Sequence, residues 1–151
     1  MTLEGADRLA LADLVHAYAA AIDDRRFDDA AALFTDTAVL RLPDPPASLE
    51  PVRRHAGRTE IRAALESVAA MPRTEHAIVG ELYRRGGGFD TAFGRVACVA
   101  HHWSRHGEQI TDLVWHVRYD DEYVLGASGW RIGVRALTIN AIETRPARRI
   151  R

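Results

Sequence analysis

The chain contains no lysine, a single cysteine and almost no net charge. Without lysine it cannot form a phosphate-binding P-loop, and the glycines at 86–88 do not stand between a strand and a helix as a dinucleotide-binding turn does. One cysteine, Cys98, excludes an intrachain disulfide and a zinc site built on cysteine pairs. A net charge of −1 gives no electrostatic reason to expect nucleic acid or an anionic membrane as a partner.

Long apolar runs and several catalytic motifs are also absent. No stretch reaches the roughly 20 apolar residues that cross a membrane, and the amino terminus lacks a signal-peptide pattern, so we expect a cytoplasmic protein. Neither a Gly-x-Ser-x-Gly elbow nor a His-Glu-x-x-His helix occurs, which argues against a serine hydrolase and against a metal site. The length fits one domain, placed at residues 1–144, followed by a solvated basic tail at 145–151.

The first part of the sequence has the periodicity of helices. Apolar residues recur at steps of three and four over 11–22, and this predicts an amphipathic helix. A second helix is predicted over 28–34 and a third from Thr59 as N-cap. A short strand at 38–42 lies between them. The prolines that follow predict a loop from Pro43 to His55.

After the third helix the period changes from 3.6 to 2, which indicates strands. Four strands separated by glycine-rich turns are expected: 74–83, 91–104, 109–123 and 130–143. This order predicts an α+β fold in which three amino-terminal helices pack on a strongly curved, mostly antiparallel sheet. A cavity between the helices and such a sheet would bind a small organic molecule.

Two polar residues interrupt the apolar pattern. Asp23 follows Ile22 at the buried side of the first helix, where a carboxylate is costly unless it is paired. It could instead cap the exposed end of the helix. His76 shares a strand face with Ile78 and is either a hydrogen-bonded core residue or part of a site.

Neighbouring residues of a strand point to opposite faces, so only one of His101 and His102 can face a cavity. On the next strand Asp112 and Val114 share one face. The other face of that strand is an apolar stripe, which we expect on the outside of the sheet as the contact of a homodimer or homotrimer: Leu113, Trp115, Val117 and Tyr119.

Five segments together resemble the SnoaL-like (NTF2-like) family, and they run from about residue 9 to residue 137. The segments are Leu14-x-x-x-Tyr18-x-x-x-Ile22-Asp23, Leu33-Phe34-Thr35-Asp36, Gly57-Arg58-x-x-Ile61, Thr74-Glu75-His76, and Gly129-Trp130-Arg131-Ile132 followed by Arg135. The resemblance implies a cone-shaped α+β domain with an internal pocket.

Within that superfamily the chain is most similar to the scytalone dehydratase and bile-acid dehydratase branch. The branch has an aspartate where Asp23 stands, a strand histidine where His76 stands, and a second histidine 25 positions further, at His101. Asp112 takes the place of a substrate-facing asparagine. Ile22 replaces a tyrosine that acts on the substrate carbonyl, so scytalone itself is not the expected substrate, and Tyr18 is the residue that could reach inward instead.

The resemblance therefore implies a catalytic set of Asp23, His76 and His101. A carboxylate that fixes one imidazole nitrogen leaves the other free to remove a proton alpha to a carbonyl. His101 would protonate a leaving hydroxyl, which gives a dehydratase, and without a leaving group the same base gives an isomerase or an aldol-type cyclase. No metal or organic cofactor is needed. A hydrophobic polyketide- or steroid-like substrate would be bound by Tyr18, Asp112, His102, Val114 and Arg135.

Two other functions remain open from the sequence. The fold also hosts non-catalytic ligand-binding and assembly domains, because a fold does not fix a function. An epoxide hydrolase would require Asp23, Arg135 and Asp112 around one water molecule, and it would leave the strand histidines without a role.

Overall fold

The computed structural model describes residues 2–151, which form three α-helices and one six-stranded sheet. The helices are α1 (Gly5–Asp23), α2 (Phe27–Ala32) and α3 (Gly57–Glu66), and a 3₁₀ turn (Ser67–Ala70) follows α3. The strands are β1 (Phe34–Asp44), β2 (Ser48–Ala56), β3 (Arg73–Arg85), β4 (Thr91–His106), β5 (Gln109–Gly126) and β6 (Gly129–Ala147).

The strand order in the sheet is β2-β1-β6-β5-β4-β3, and β2 and β3 are the two edges of a sheet that does not close. All neighbours are antiparallel except β1 and β6, which run parallel. The predicted α+β class and the mostly antiparallel sheet are confirmed. The predicted strand between the second and third helices is present as β1, and the chain order is corrected in one respect, since a second strand, β2, follows it before α3.

The segment from Pro43 to His55 was predicted as a loop, and this is wrong. β1 continues to Asp44, and β2 pairs back onto it as a hairpin. The ladder shifts register between Leu42 and Asp44, so Pro43 lies where the regular hydrogen bonding is interrupted. A proline that lacks an N–H group is tolerated at such an irregularity and on an edge of the sheet.

Two helix boundaries also differ from the prediction. The second helix stops at Ala32, because Phe34 already begins β1 and is fully buried there. The third helix begins at Gly57 rather than after Thr59. Its amino-terminal end is closed by Glu60, whose carboxylate accepts the backbone N–H of Ala56 at 2.7 Å.

The helices cover one face of the sheet and enclose the main core. α1 buries its predicted face, and the buried members of that face are Leu11, Leu14, Val15, Tyr18, Ala19, Ala21 and Ile22. At the carboxyl end β6 extends through Ala147, so the start of the predicted tail is paired with β5, with Arg145 opposite Asp112. Within residues 2–151, no helix has the length and apolarity that crossing a membrane requires.

Candidate active site

The last residue of α1 and the beginning of β3 meet at one hydrogen-bonded pair. An Asp23 carboxylate oxygen lies 2.7 Å from Nδ1 of His76. The other oxygen accepts the backbone N–H of His76 at 2.8 Å, and the Thr74 hydroxyl donates to the carboxylate at 3.0 Å. Asp23 therefore does not serve as an exposed helix cap, and the pairing predicted between Asp23 and His76 is present.

The surroundings of Asp23 keep its carboxyl group ionised. Burial raises the pKa of Asp23, but the hydrogen bonds from the ring and backbone of His76 and from Thr74 outweigh burial, so the pKa lies below its ordinary value. An ionised carboxylate can only accept a proton in a hydrogen bond, which places the imidazole proton of His76 on Nδ1. Nε2 of His76 then carries the free lone pair.

His76 lies in the wall of an apolar cavity of about 100 Å³, which we name the inner cavity. Its other lining residues come from α1, α3, the 3₁₀ turn after α3, and strands β1, β4, β5 and β6. They are Tyr18, Ile22, Leu42, Ala64, Leu65, Val68, Ala100, His102, Trp115, Val117, Tyr119 and Leu137. Pockets for drug-sized ligands measure roughly 300–1,000 Å³. A steroid-sized molecule would therefore fit only if the cavity walls moved.

The second histidine of the inner cavity is His102, and the prediction that His101 occupies it is wrong. His102 lies opposite Thr74 in the ladder between β3 and β4, on the face that carries His76. The centroids of the two imidazole rings are 6.2 Å apart. His102 faces the site 26 positions after His76 rather than 25, and the ladder shifts by one residue between Ile78 and Gly80, which accounts for the difference.

The environment of His102 favours a neutral ring. Burial lowers its pKa, partly offset by the hydrogen bond to a backbone carbonyl. That bond joins Nδ1 of His102 to the carbonyl oxygen of Leu113 at 2.9 Å. Because a carbonyl only accepts, the proton lies on Nδ1, and Nε2 is an acceptor. His102 is thus suited to accept a hydrogen bond from a ligand.

His101 belongs to a separate pair on the opposite face of the sheet. Its Nδ1 lies 2.6 Å from the buried carboxylate of Asp112, and its ring stacks on Trp103 with centroids 5.2 Å apart. Val114 is directly opposite His101 in the ladder and is also buried on that face. The structure therefore does not bring His101, Asp112 or Val114 to the inner cavity, and their predicted catalytic and substrate-binding positions are wrong.

The apolar stripe of β5 faces inward and not outward. Trp115, Val117 and Tyr119 line the inner cavity, so this stripe is not the outer contact surface that the sequence analysis assigned. The alternation of apolar and polar residues along β5 correctly assigned the stripe to one face of the sheet. It could not show which of the two faces the helices cover. The homodimer or homotrimer stays a prediction, and it would have to use other residues of the outer face.

Arg135 is fully buried behind the cavity wall and is not one of the cavity's lining residues. Its Nε and Nη2 donate to the Asp121 carboxylate at 2.9 and 2.7 Å. Its guanidinium carbon lies 4.3 Å from the ring centre of Tyr18 and 4.1 Å from that of Tyr119. Sequence reasoning missed Asp121 as its partner and wrongly gave Arg135 a direct contact with substrate.

The three residues that an epoxide hydrolase would need around one water molecule do not lie together at one site. Asp23 pairs with His76, Arg135 pairs with Asp121, and Asp112 lies on the outer face. This structure therefore gives no support to that alternative. Among the described residues 2–151, no three histidine, cysteine, aspartate or glutamate side chains converge as a metal site would require.

The chain belongs to the SnoaL-like family, because the family model of the SnoaL-like domain matches residues 4–136. None of the curated proteins matches the chain. A solved structure from Novosphingobium aromaticivorans, provisionally named an aromatic ring hydroxylase, is 23% identical, covers 96% of each chain and has a TM-score of 0.79.

Two further solved structures are similar over most of the chain. One from Novosphingobium aromaticivorans, provisionally named a scytalone dehydratase, is 19% identical over 97% of this chain and 90% of that chain, with a TM-score of 0.76. A hexachlorocyclohexane dehydrochlorinase is 17% identical over 94% of this chain and 89% of that chain, with a TM-score of 0.74. At these identities the likeness establishes the fold alone.

Proposed function

We propose that this protein is a cofactor-free lyase or isomerase that removes a proton alpha to the carbonyl group of a small hydrophobic molecule. The observation that carries the proposal is the 2.7 Å contact between Asp23 and Nδ1 of His76 in the wall of the inner cavity. It supplies an oriented imidazole with a free Nε2 beside an apolar space. A base positioned in this way contributes on the order of 10²–10⁴ in rate.

The reaction begins when Nε2 of His76 takes the proton from the alpha carbon. The electron pair of the broken C–H bond forms a C=C bond, and the carbonyl oxygen takes up the negative charge of an enolate. Asp23 stabilises the imidazolium that forms, since its carboxylate is ionised and in contact with the ring. The substrate-facing role of Tyr18 fits this scheme, because Tyr18 lines the inner cavity and burial raises its pKa, which keeps the phenol protonated as a donor.

The same intermediate leads to either product class. In a dehydratase the enolate collapses, the bond to a beta hydroxyl breaks, and the hydroxyl leaves as water with the proton held by His76. In an isomerase that proton returns to a different carbon. His102 rarely carries a second proton because its pKa is lowered, and so its role is to accept a hydrogen bond from a substrate hydroxyl.

The names of the similar structures fit an elimination. One is a dehydrochlorinase and another is provisionally named a dehydratase. Both reactions remove a proton and a leaving group from adjacent carbons. The size of the inner cavity favours a compact, single-ring substrate over a steroid in this conformation.

The test measures proton abstraction directly. Wild-type protein and Asp23→Asn are incubated in D₂O with cyclohexanone and with beta-hydroxy ketones, and alpha-proton exchange and enone formation are followed by NMR and absorbance. We expect exchange above the buffer rate in the wild type and a loss of about 10²–10⁴-fold in the variant, with unchanged circular dichroism. Asp24→Asn is the control, because Asp24 is exposed and contacts only Arg26.

Exchange that is nearly the same in wild type and Asp23→Asn would overturn the proposal. So would exchange no faster than in buffer for every compound tested. Either result would leave a non-catalytic ligand-binding domain as the better interpretation of the inner cavity.

A further inference from the structure

Arg25 has an unusual backbone conformation directly after the helix that carries Asp23. Among residues 2–151 it is the only residue other than glycine with a positive φ, of 61°. The backbone N–H of Arg26 donates to the carbonyl of Ala21 at 2.8 Å, which closes α1 in a Schellman arrangement. Glycine is the usual residue at this left-handed position, so the arginine side chain here calls for another explanation.

The guanidinium of Arg25 reaches from the end of α1 to the beginning of β3. Its Nη1 donates to the hydroxyl oxygen of Thr74 at 2.8 Å, and its Nη2 donates to the carbonyl of Met71 at 2.7 Å. The left-handed backbone turns the side chain back across the carboxyl end of the helix, where Nη1 also lies 3.2 Å from the carbonyl of Ile22. Arg25 thus ties α1 to the strand that carries His76.

These contacts fix the direction of the hydrogen bonds that lead to the dyad. A guanidinium has donors only, so the Thr74 hydroxyl must accept from Arg25 and direct its own proton elsewhere. That proton goes to the Asp23 carboxylate at 3.0 Å, and the same carboxylate oxygen lies 2.7 Å from Nδ1 of His76. Four side chains therefore form one chain of hydrogen bonds: Arg25, Thr74, Asp23 and His76. Because the guanidinium can only donate, the direction of the bond from Thr74 to Asp23 is determined.

We propose that Arg25 is a positioning residue, which acts through Thr74 to hold the Asp23 carboxylate against Nδ1 of His76. The inference rests on the proposed function of the dyad. Arg25 is not among the residues that line the inner cavity, so it does not touch a bound ligand. The Asp23 side chain retains 21% exposure. Without the fixed Thr74 hydroxyl it could turn toward solvent and release the imidazole.

The test observes the His76 ring itself by NMR in ¹⁵N-histidine-labelled protein. The wild type should show a protected Nδ1–H proton and the nitrogen shifts of the Nδ1–H tautomer. In Arg25→Gly the proton should exchange faster with water, and the tautomers should mix. Glycine suits the left-handed backbone at this helix end, so the fold is expected to be kept. The matched control is Arg26→Ala, which removes a neighbouring exposed charge that contacts only Asp24 and Asp29.

Two substitutions of Thr74 separate the hydrogen bond from packing. Thr74→Val keeps the shape and removes the hydroxyl, and it should reproduce the Arg25→Gly spectrum. Thr74→Ser restores the hydroxyl and should restore the wild-type tautomer. If the exchange assay is active, Arg25→Gly and Thr74→Val should lose about 10–100-fold in rate, the size of loss known for groups that orient a metal ligand through a hydrogen bond.

The possible outcomes test the positioning role of Arg25 separately from the proposed function of the dyad. An unchanged His76 spectrum in Arg25→Gly and Thr74→Val, with the Nδ1–H signal still lost in Asp23→Asn, overturns the positioning role while the dyad stands. A wild type without the Nδ1–H tautomer overturns both. Equal changes in Arg26→Ala would show that charge near the helix end, and not the contact with Thr74, controls the ring.

Discussion

Asp23 contacts His76 at two points, through ring Nδ1 at 2.7 Å and through the backbone N–H at 2.8 Å. The backbone contact means that the carboxylate is attached to the strand itself as well as to a side chain that can rotate. β3 is an edge of the sheet, and α1 packs beside it. The geometry of the dyad therefore depends on how the end of α1 is joined to the first residues of β3.

The lowered pKa of Asp23 makes its contribution to stability dependent on pH. The unfolded value is about 3.9, and the folded value lies below it. Ionised Asp23 therefore stabilises the folded protein at pH values above about 3.9, and this contribution is lost as the pH falls through the folded pKa. Urea unfolding of wild type and Asp23→Asn should show a difference in free energy that is constant near neutrality and shrinks in acid. A difference that does not change down to pH 2 contradicts the assignment.

His102 should also make the free energy of unfolding fall in acid, but in a pH range closer to neutrality. Burial holds its folded pKa below the unfolded value of about 6.5. Between the two values the unfolded chain binds the proton more readily, so the free energy of unfolding decreases as the pH falls below about 6.5. His102→Asn retains a donor toward the carbonyl of Leu113 but cannot titrate, and it should lose less stability between pH 8 and 5 than the wild type. The exposed His106→Asn is the control and should behave like the wild type.

The two histidines show which part of the site could be predicted from sequence. Alternation established that only one of His101 and His102 faces inward, and the resemblance correctly paired Asp23 with His76. The choice between the neighbours depended on strand register, which a one-residue shift between Ile78 and Gly80 alters. Such a shift follows from local backbone geometry and leaves no distinct mark in the spacing of apolar residues.

In the fold as well, the spacing of apolar residues predicted individual elements, but it could not predict contacts between strands. Periodicity located α1, which buries its apolar face, and the four long strands, where the spacing changes to a period of two. It failed at β2, because no residue of that strand is buried and no apolar alternation marks it. It also could not predict that Arg135 pairs with Asp121, since they lie on different strands and meet only when β5 and β6 align.

Removing only the charge of Arg135 should destabilise the fold more than removing the charges of both Arg135 and Asp121. Both side chains are completely buried, so Arg135→Met leaves an uncompensated carboxylate in the core, which typically costs about 3–5 kcal/mol. Adding Asp121→Asn removes that charge, and the double variant should be more stable than the single Arg135→Met variant. A double-mutant cycle by urea unfolding measures the coupling. Simple additivity of the two losses would show that the charges do not interact as the geometry indicates.

Xenon binding gives a test of the inner cavity that needs no substrate. An apolar cavity of about 150 Å³ can hold xenon or benzene, and the inner cavity, at about 100 Å³, suits the single atom. Xenon should shift the NMR signals of cavity residues in the wild type. Ala100→Leu adds a larger apolar side chain from β4 into this space and should abolish the shifts, with little loss of stability because it fills a void.

Ala77→Leu is the matched control, because Ala77 neighbours His76 in β3 and therefore faces the opposite side of the sheet. The same increase in size on that side should leave xenon binding unchanged. If Ala100→Leu loses xenon binding but keeps proton exchange, the reacting space is not the inner cavity. If instead it loses xenon binding and proton exchange together while Ala77→Leu keeps both, the base and the cavity form one site. The chemistry assigned to His76 would then be located in the space that the helices enclose.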